Sequence, residues 1–128
     1  MRVASSLVLA LAVGCASPSA PTVVGVWGGR EASLVLTQSG GTVAYACGAG
    51  TIGSGWTLDA GGAFNATGEH YFGGGPAPVE GRTPHPVRYT GQVTGDVLSL
   101  TVTLLDLGQT LGPFHLVRGG PPVHELCV

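Results

Sequence analysis

The chain has 128 residues, including 23 glycines and 9 prolines, with 44% hydrophobic residues, 9% charged residues and a formal charge of −2. High apolar content with so little charge excludes a disordered chain, and the length holds one domain rather than two. Glycine recurring every few residues excludes long helices, since each costs a helix about 1 kcal/mol; a small all-β domain rich in turns is expected.

The first segment in chain order reads as an address. Met1-Arg2 supplies a positive start, and Val3 to Val13 is apolar apart from Ser5 and Ser6. This is the layout of a secretory signal, too short for the roughly 20 residues that span a bilayer. Ala12-Val13-Gly14-Cys15 then leads into Ala16-Ser17-Pro18-Ser19-Ala20-Pro21-Thr22. The four residues ending in Cys15 resemble the lipobox of bacterial lipoproteins. The resemblance implies a signal peptide over residues 1–14, lipidation of Cys15, and a flexible tether over residues 15–22. The partner would be a membrane held through the N-terminal lipid, since several acyl chains anchor stably where one does not. Ala16 after the cysteine implies the outer membrane facing the periplasm, where the source has two membranes. The alternative is a secreted protein cut after Ala16 or Ala20.

Cleavage would remove Arg2 and leave Arg30, Arg82, Arg88 and Arg118, with no lysine, against seven acids. That charge offers no basic patch for nucleic acid or for anionic lipid.

Residues 23–128 read as a single domain of strands separated by glycine turns. Val23 to Arg30 carries Gly25, Trp27 and Gly29 on one face. Ala32 to Gln38 turns through Ser39-Gly40-Gly41 into Thr42 to Cys47. Thr51 to Leu58 follows, then Ala63 to Phe72, with Phe64, Ala66 and Gly68 opposite Asn65, Thr67 and Glu69. Val87 to Val93 and the turn Thr94-Gly95-Asp96 lead into the clearest strand, where Leu98, Leu100, Val102 and Leu104 alternate with Ser99, Thr101 and Thr103. Leu111 to Arg118 ends the series. Eight strands at this spacing predict an all-β fold, a small closed antiparallel up-and-down barrel without substantial helix. Its inward set is bulky, with Trp27, Tyr45, Trp56, Phe64, Tyr89 and Phe114 among the leucines. An eight-stranded barrel is only just wide enough for such side chains to fill it. A filled barrel with a shallow end pocket is expected.

Gly73 to His85 breaks the rhythm with thirteen residues of loop composition. Loops this long in compact domains are either functional or loosely held connections. Tyr71, Phe72, Arg82, His85 and nearby Tyr89 are the side chains that would meet a partner there.

The remaining motifs point away from catalysis and cofactors. Gly48-x-Gly50-x-x-Gly53 matches a dinucleotide fingerprint by letter, but Ser54-Gly55-Trp56-Thr57-Leu58 continues as strand where the motif requires a helix N-terminus. His70, His85, His115 and His124 lie on different segments without the close spacing of a zinc site, so they read as solvated or structural. Glu69 and His70 are adjacent in a strand and so point to opposite faces. No nucleophile elbow or carboxylate pair is present, and no catalytic residue is assigned. With Cys15 lipidated, Cys47 and Cys127 remain as an even pair in an oxidising compartment. A disulfide between them would close about 80 residues and contribute roughly 4 to 5 kcal/mol at most; two free thiols or a metal site are the alternatives.

Trp27 in the first strand and Arg118 on the core face of the last become neighbours if the meander closes, with the guanidinium stacked on the indole. Gly25-Val26-Trp27 with a late Arg118 is similar to the signature of the lipocalins and the wider calycin group. That resemblance implies an antiparallel barrel that binds small apolar ligands or proteins, with the arginine packed across the tryptophan. The order Cys47-Gly-x-Gly-Thr-Ile, Leu58-Asp, Arg88-Tyr-Thr-Gly, Leu100-Thr-Val-Thr-Leu and Gly112-Pro-Phe114 also resembles bacterial envelope proteins of no known activity. A monomer with a binding or structural role is expected. Within that role the alternatives are an apolar-ligand carrier with a pocket near Tyr89 and Gly91, and a protein inhibitor acting through the 73–85 loop.

Overall fold

Period-two alternation becomes strand throughout the described part of the chain, which in the computed structural model comprises residues 20–73 and 81–123. The strands are β1 (Gly25–Gly28), β2 (Ala32–Thr37), β3 (Gly40–Tyr45), β4 (Gly48–Ile52), β5 (Thr57–Leu58), β6 (Ala63–Phe72), β7 (His85–Thr94), β8 (Val97–Leu104) and β9 (Gln109–Arg118). There is no helix among the described residues. Apart from β4 and β5, consecutive strands pair antiparallel; β4 pairs with β6 and β1 with β9, so eight strands close into an up-and-down barrel. β5 is an additional short strand on β6. The closed antiparallel barrel expected from the alternation is the fold, and it is compatible with a lipocalin-like architecture.

β1 is shorter than expected, and β7 and β9 each begin two residues earlier, at His85 and Gln109; the larger differences lie around glycines. The stretch Thr51–Leu58 is not one strand. β4 stops at Ile52, the Gly53 amide donates to the Thr67 carbonyl at 2.9 Å, and the chain turns at Ser54-Gly55 before Thr57 and Leu58 rejoin opposite Asn65 and Phe64. The detour carries Trp56 over the barrel end. There its Nε1 donates to the Thr37 carbonyl at 2.9 Å, and its ring centroid lies 6.0 Å from that of Phe64. The β3–β4 turn also comes early, at Ala46-Cys47, so Gly48 and Gly50 are strand residues. Gly50 faces the interior because Tyr89 needs the room: a Cβ there would lie 2.5 Å from the Tyr89 hydroxyl. Gly68, on the neighbouring strand, has its missing Cβ directed into the Thr51 carbonyl and against the Tyr89 ring.

The interior is filled. Trp27, Leu34, Leu36, Phe64, Tyr89, Leu98, Leu100 and Leu116 are all buried in one cluster, and Tyr45, Trp56, Leu58, Leu111 and Phe114 pack against it from the rims. Each large apolar side chain so buried contributes roughly 1.5 to 3 kcal/mol. Tyr89 crosses the middle of the barrel, its hydroxyl donating to the Thr51 carbonyl at 3.1 Å.

Closure is uneven. β1 and β9 are joined at two residue pairs only, Trp27 with Arg118 and Gly28 with Val117. Toward the other end of β9 the seam is bridged by side chains, with Tyr45 and Phe114 ring centroids 5.7 Å apart. The two ends of the barrel are therefore built differently.

Candidate functional site

One end is tied shut. Arg118 Cζ lies 4.3 Å from the Trp27 ring centroid, and the indole Nε1 donates to the Val23 carbonyl at 2.9 Å. Arg118 Nη2 donates to the carbonyls of Thr22 at 3.0 Å and Gly95 at 3.2 Å, and Nε donates to Asp96 Oδ1 at 3.1 Å. One side chain thus binds the incoming N-terminal segment, the β7–β8 turn and the core tryptophan. Four of its five donors are engaged within the fold, Nη1 donating to the Thr22 hydroxyl at 3.3 Å. The cleft of about 450 Å³ beside it, between Thr22 and Gly95, gains no free cation from Arg118.

The opposite end is an aromatic mouth. β6 turns His70 inward and buries it at 2% exposure, and the register sets it opposite His85 of β7. The ring of Tyr45 meets His70 edge-on at 5.0 Å, Phe72 meets His70 at 4.6 Å, and Phe72 meets His85 at 5.2 Å. Nδ1 of His85 donates to Asp106 Oδ2 at 2.8 Å, which fixes the His85 ring against the β8–β9 turn. Over these rings opens a cavity of about 280 Å³, lined chiefly by Tyr45, His70, Phe72, Leu111 and Phe114, with Glu31 and Cys47 at its edge.

Burial favours the neutral forms of His70 and Tyr45 in this mouth. Burial, and secondarily the charge of His85, hold the His70 pKa below its usual value. Burial, then the nearby Tyr89, pushes the Tyr45 phenol well above the ordinary tyrosine value. Among the described residues, Tyr45 Oη and His70 Nδ1 are buried without a well-formed hydrogen bond, the Tyr45 hydroxyl having only the Tyr89 hydroxyl near it, an arrangement that costs stability unless something else satisfies it.

The predicted site residues fall in different places. Phe72 and His85 come together in the mouth. Tyr71 points outward and donates to Glu69 Oε2 at 2.6 Å, which raises its pKa. Arg82 reaches the Gly73 carbonyl at 3.4 Å. Tyr89, expected both in the inward set and among the partner-facing side chains, is fully buried and belongs to the core, which corrects the second placement. A Cβ on Gly91, its neighbour two residues on, would meet the Ser99 carbonyl oxygen at 2.6 Å. Residues 74–80 of the long loop lie outside the described residues, as do Cys15, the leader, Cys127 and His124. Cys47, in the β3–β4 turn, is engaged by a partner. His115 points to solvent, and among the described residues no three His, Cys, Asp or Glu side chains are grouped to hold a metal.

Sequence reasoning missed the Tyr45–His70–Phe72–His85 cluster. The available signal was the symmetry of the β6–β7 hairpin: extending both strands to the loop by pairing Phe64 with Gly91 carries His70 opposite His85. No protein family model, curated protein or solved structure matches the chain.

Proposed function

We propose that this is a lipid-anchored cell-envelope protein whose filled barrel is a scaffold for a shallow mouth that binds a small apolar, aromatic-compatible molecule. The observation that carries the reading is the mouth itself, a cavity of about 280 Å³ walled by aromatic rings at the end away from the tethered Thr22. The role is binding rather than catalysis. Anchoring rests on Cys15 and its lipobox-like context. The domain is closed covalently by a Cys47–Cys127 disulfide, which the engaged state of Cys47 supports. The C-terminal segment also turns back after Arg118 along the outside of β1, where a Cβ on Gly28 would strike the Pro121 carbonyl.

The test is titration with 2-naphthol, followed by NMR of the His70 and His85 ring protons. Saturable shifts are expected, weakened about fivefold in Phe72→Ala, as the loss of one aromatic contact worth about 1 kcal/mol implies. No saturation by about 1 mM, an affinity near −4 kcal/mol, overturns the binding role. Retention of Cys15→Ser in the membrane fraction overturns the anchor, and two free thiols at Cys47 and Cys127 on non-reducing mass analysis overturn the bridge.

A further inference from the structure

The outer surface of the barrel has two different walls. On β6 and β7 the outward residues are polar: Asn65, Thr67 and Glu69 on one strand, Arg88 and Gln92 on the other. On the opposite side, toward the tethered end, four neighbouring outward positions are valines, with Ser99, Thr101 and His115 following on β8 and β9. Val26 lies directly across from Val35 on β1 and β2, and Val117 lies directly across from Val97 on β9 and β8. Val117 is also paired with Gly28, two residues from Val26, so Val26 and Val117 are diagonal neighbours within side-chain reach. Val24 extends the row. These five are 40%, 47%, 47%, 50% and 43% exposed for Val24, Val26, Val35, Val117 and Val97. Exposed apolar residues scattered singly need no explanation, but a contiguous row across four strands does.

The row lies at the tethered end. Arg118 holds Thr22, two residues before Val24, and Asp96, next to Val97, is bonded by Arg118. The chain from Cys15 to Thr22 is seven residues long and spans at most about 25 Å. With Cys15 lipidated, this flank stays within that distance of the lipid surface. The stripe itself contains no charged side chain to resist contact with the acyl boundary.

We infer that the valine stripe of β2, β1, β9 and β8 is a bilayer-contact surface that seats the barrel on its tethered flank. The inference rests on the lipid-anchor reading and adds to it a second, protein-mediated membrane contact. A contact weak by itself becomes effective once the lipid anchor holds it at high local concentration beside the surface. The contact leaves the mouth, at the far end of β6 and β9, open to the aqueous compartment. Because the stripe is uncharged, the seating is insensitive to salt.

The experiment uses the full lipidated chain in phosphatidylethanolamine–phosphatidylglycerol vesicles containing a doxyl-labelled lipid, observed by methyl NMR with cosedimentation in parallel. Leu105 and Leu107 provide the internal control, being 52% and 50% exposed in the turn that carries Asp106 at the mouth. The expected result is broadening of the Val26, Val97 and Val117 methyls at least about threefold beyond that of Leu105 and Leu107, unchanged at high salt, as for an apolar interfacial contact. Cosedimentation with all five valines as sharp as the leucines overturns the stripe and leaves the anchor standing. Preferential broadening of the leucines reverses the orientation and also overturns it. Valines that are protected but not broadened, in a particle of twice the chain mass, assign the stripe to a second copy and overturn the proposal. Failure to cosediment removes the anchor and the proposal together.

Discussion

Replacing Arg118 by methionine removes a guanidinium while keeping most of its apolar stem. The Trp27 stack contributes about 1 kcal/mol at a site of intermediate exposure. The bonds to the Thr22 and Gly95 carbonyls, at 3.0 and 3.2 Å, are charge-assisted, but both carbonyls can rehydrate once the arginine is gone. Together they contribute about 1 to 2 kcal/mol, the low end for such bonds. The Asp96 pair adds little, because Asp96 is 79% exposed and surface pairs contribute about 0 to 1 kcal/mol. The expected loss is therefore about 2 to 4 kcal/mol. For a domain of about 100 residues, at about 4 to 8 °C per kcal/mol, the melting temperature should fall by on the order of 15 °C. Urea melts at matched pH measure the loss directly, and Arg118→Lys, which keeps the charge without the planar fork, should recover less than half of it. A loss under about 0.5 kcal/mol, typical of an unremarkable surface position, would refute the assignment of Arg118 as the tie between the N-terminal segment, the β7–β8 turn and the core.

Gly68→Ala places its Cβ against the Thr51 carbonyl and should cost about 1 to 3 kcal/mol by overpacking; Gly55→Ala, with nothing within 4 Å, should cost nothing measurable in the same melt. Tyr45→Phe deletes a buried hydroxyl without a well-formed hydrogen bond, so stability should hold or rise by up to about 1 kcal/mol, and a loss of that size would refute the geometry. His70 is held below its ordinary value of 6.5 by burial and then by His85, so the unfolded chain takes up the proton first as pH falls. Its contribution is complete above about 6.5 and is lost on acidification from there toward the lowered native value. Stability at pH 7.5 and 5.5, measured for the native chain and His70→Phe, should show a shallower pH slope in the variant; equal slopes would refute a neutral buried His70.

The barrel and its tied end were legible because their signals are local. The β8 alternation of Leu98, Leu100, Val102 and Leu104 states its own buried face, and all four are buried. Trp27 and Arg118 occupy the first and last strands, so closure alone makes them neighbours. The mouth was hidden because its parts come from β3, β6, β7 and β9, and their meeting depends on register across a long loop. The alternation did contain the correction for Tyr89, which shares a face with Val87 and Val93. Loop proximity was the weaker signal there, and the packing period won.

A short chain has a physical reason to keep its pocket at the rim. A sealed apolar cavity costs about 24 cal/mol per Å³. At the size of the mouth cavity, about 280 Å³, an enclosed void would therefore cost on the order of 7 kcal/mol. Domains of this size have only about 5 to 15 kcal/mol of net stability. Glycines at Gly50 and Gly68 admit Tyr89 across the barrel and remove that cost by filling the space with side chain. The same filling leaves the mouth as the place for a small ligand, where water occupies the volume when no ligand does. Gly50, Gly68 and the shallow site thus have one cause: the interior of this barrel is spent on its own stability, and recognition is left to its ends and walls.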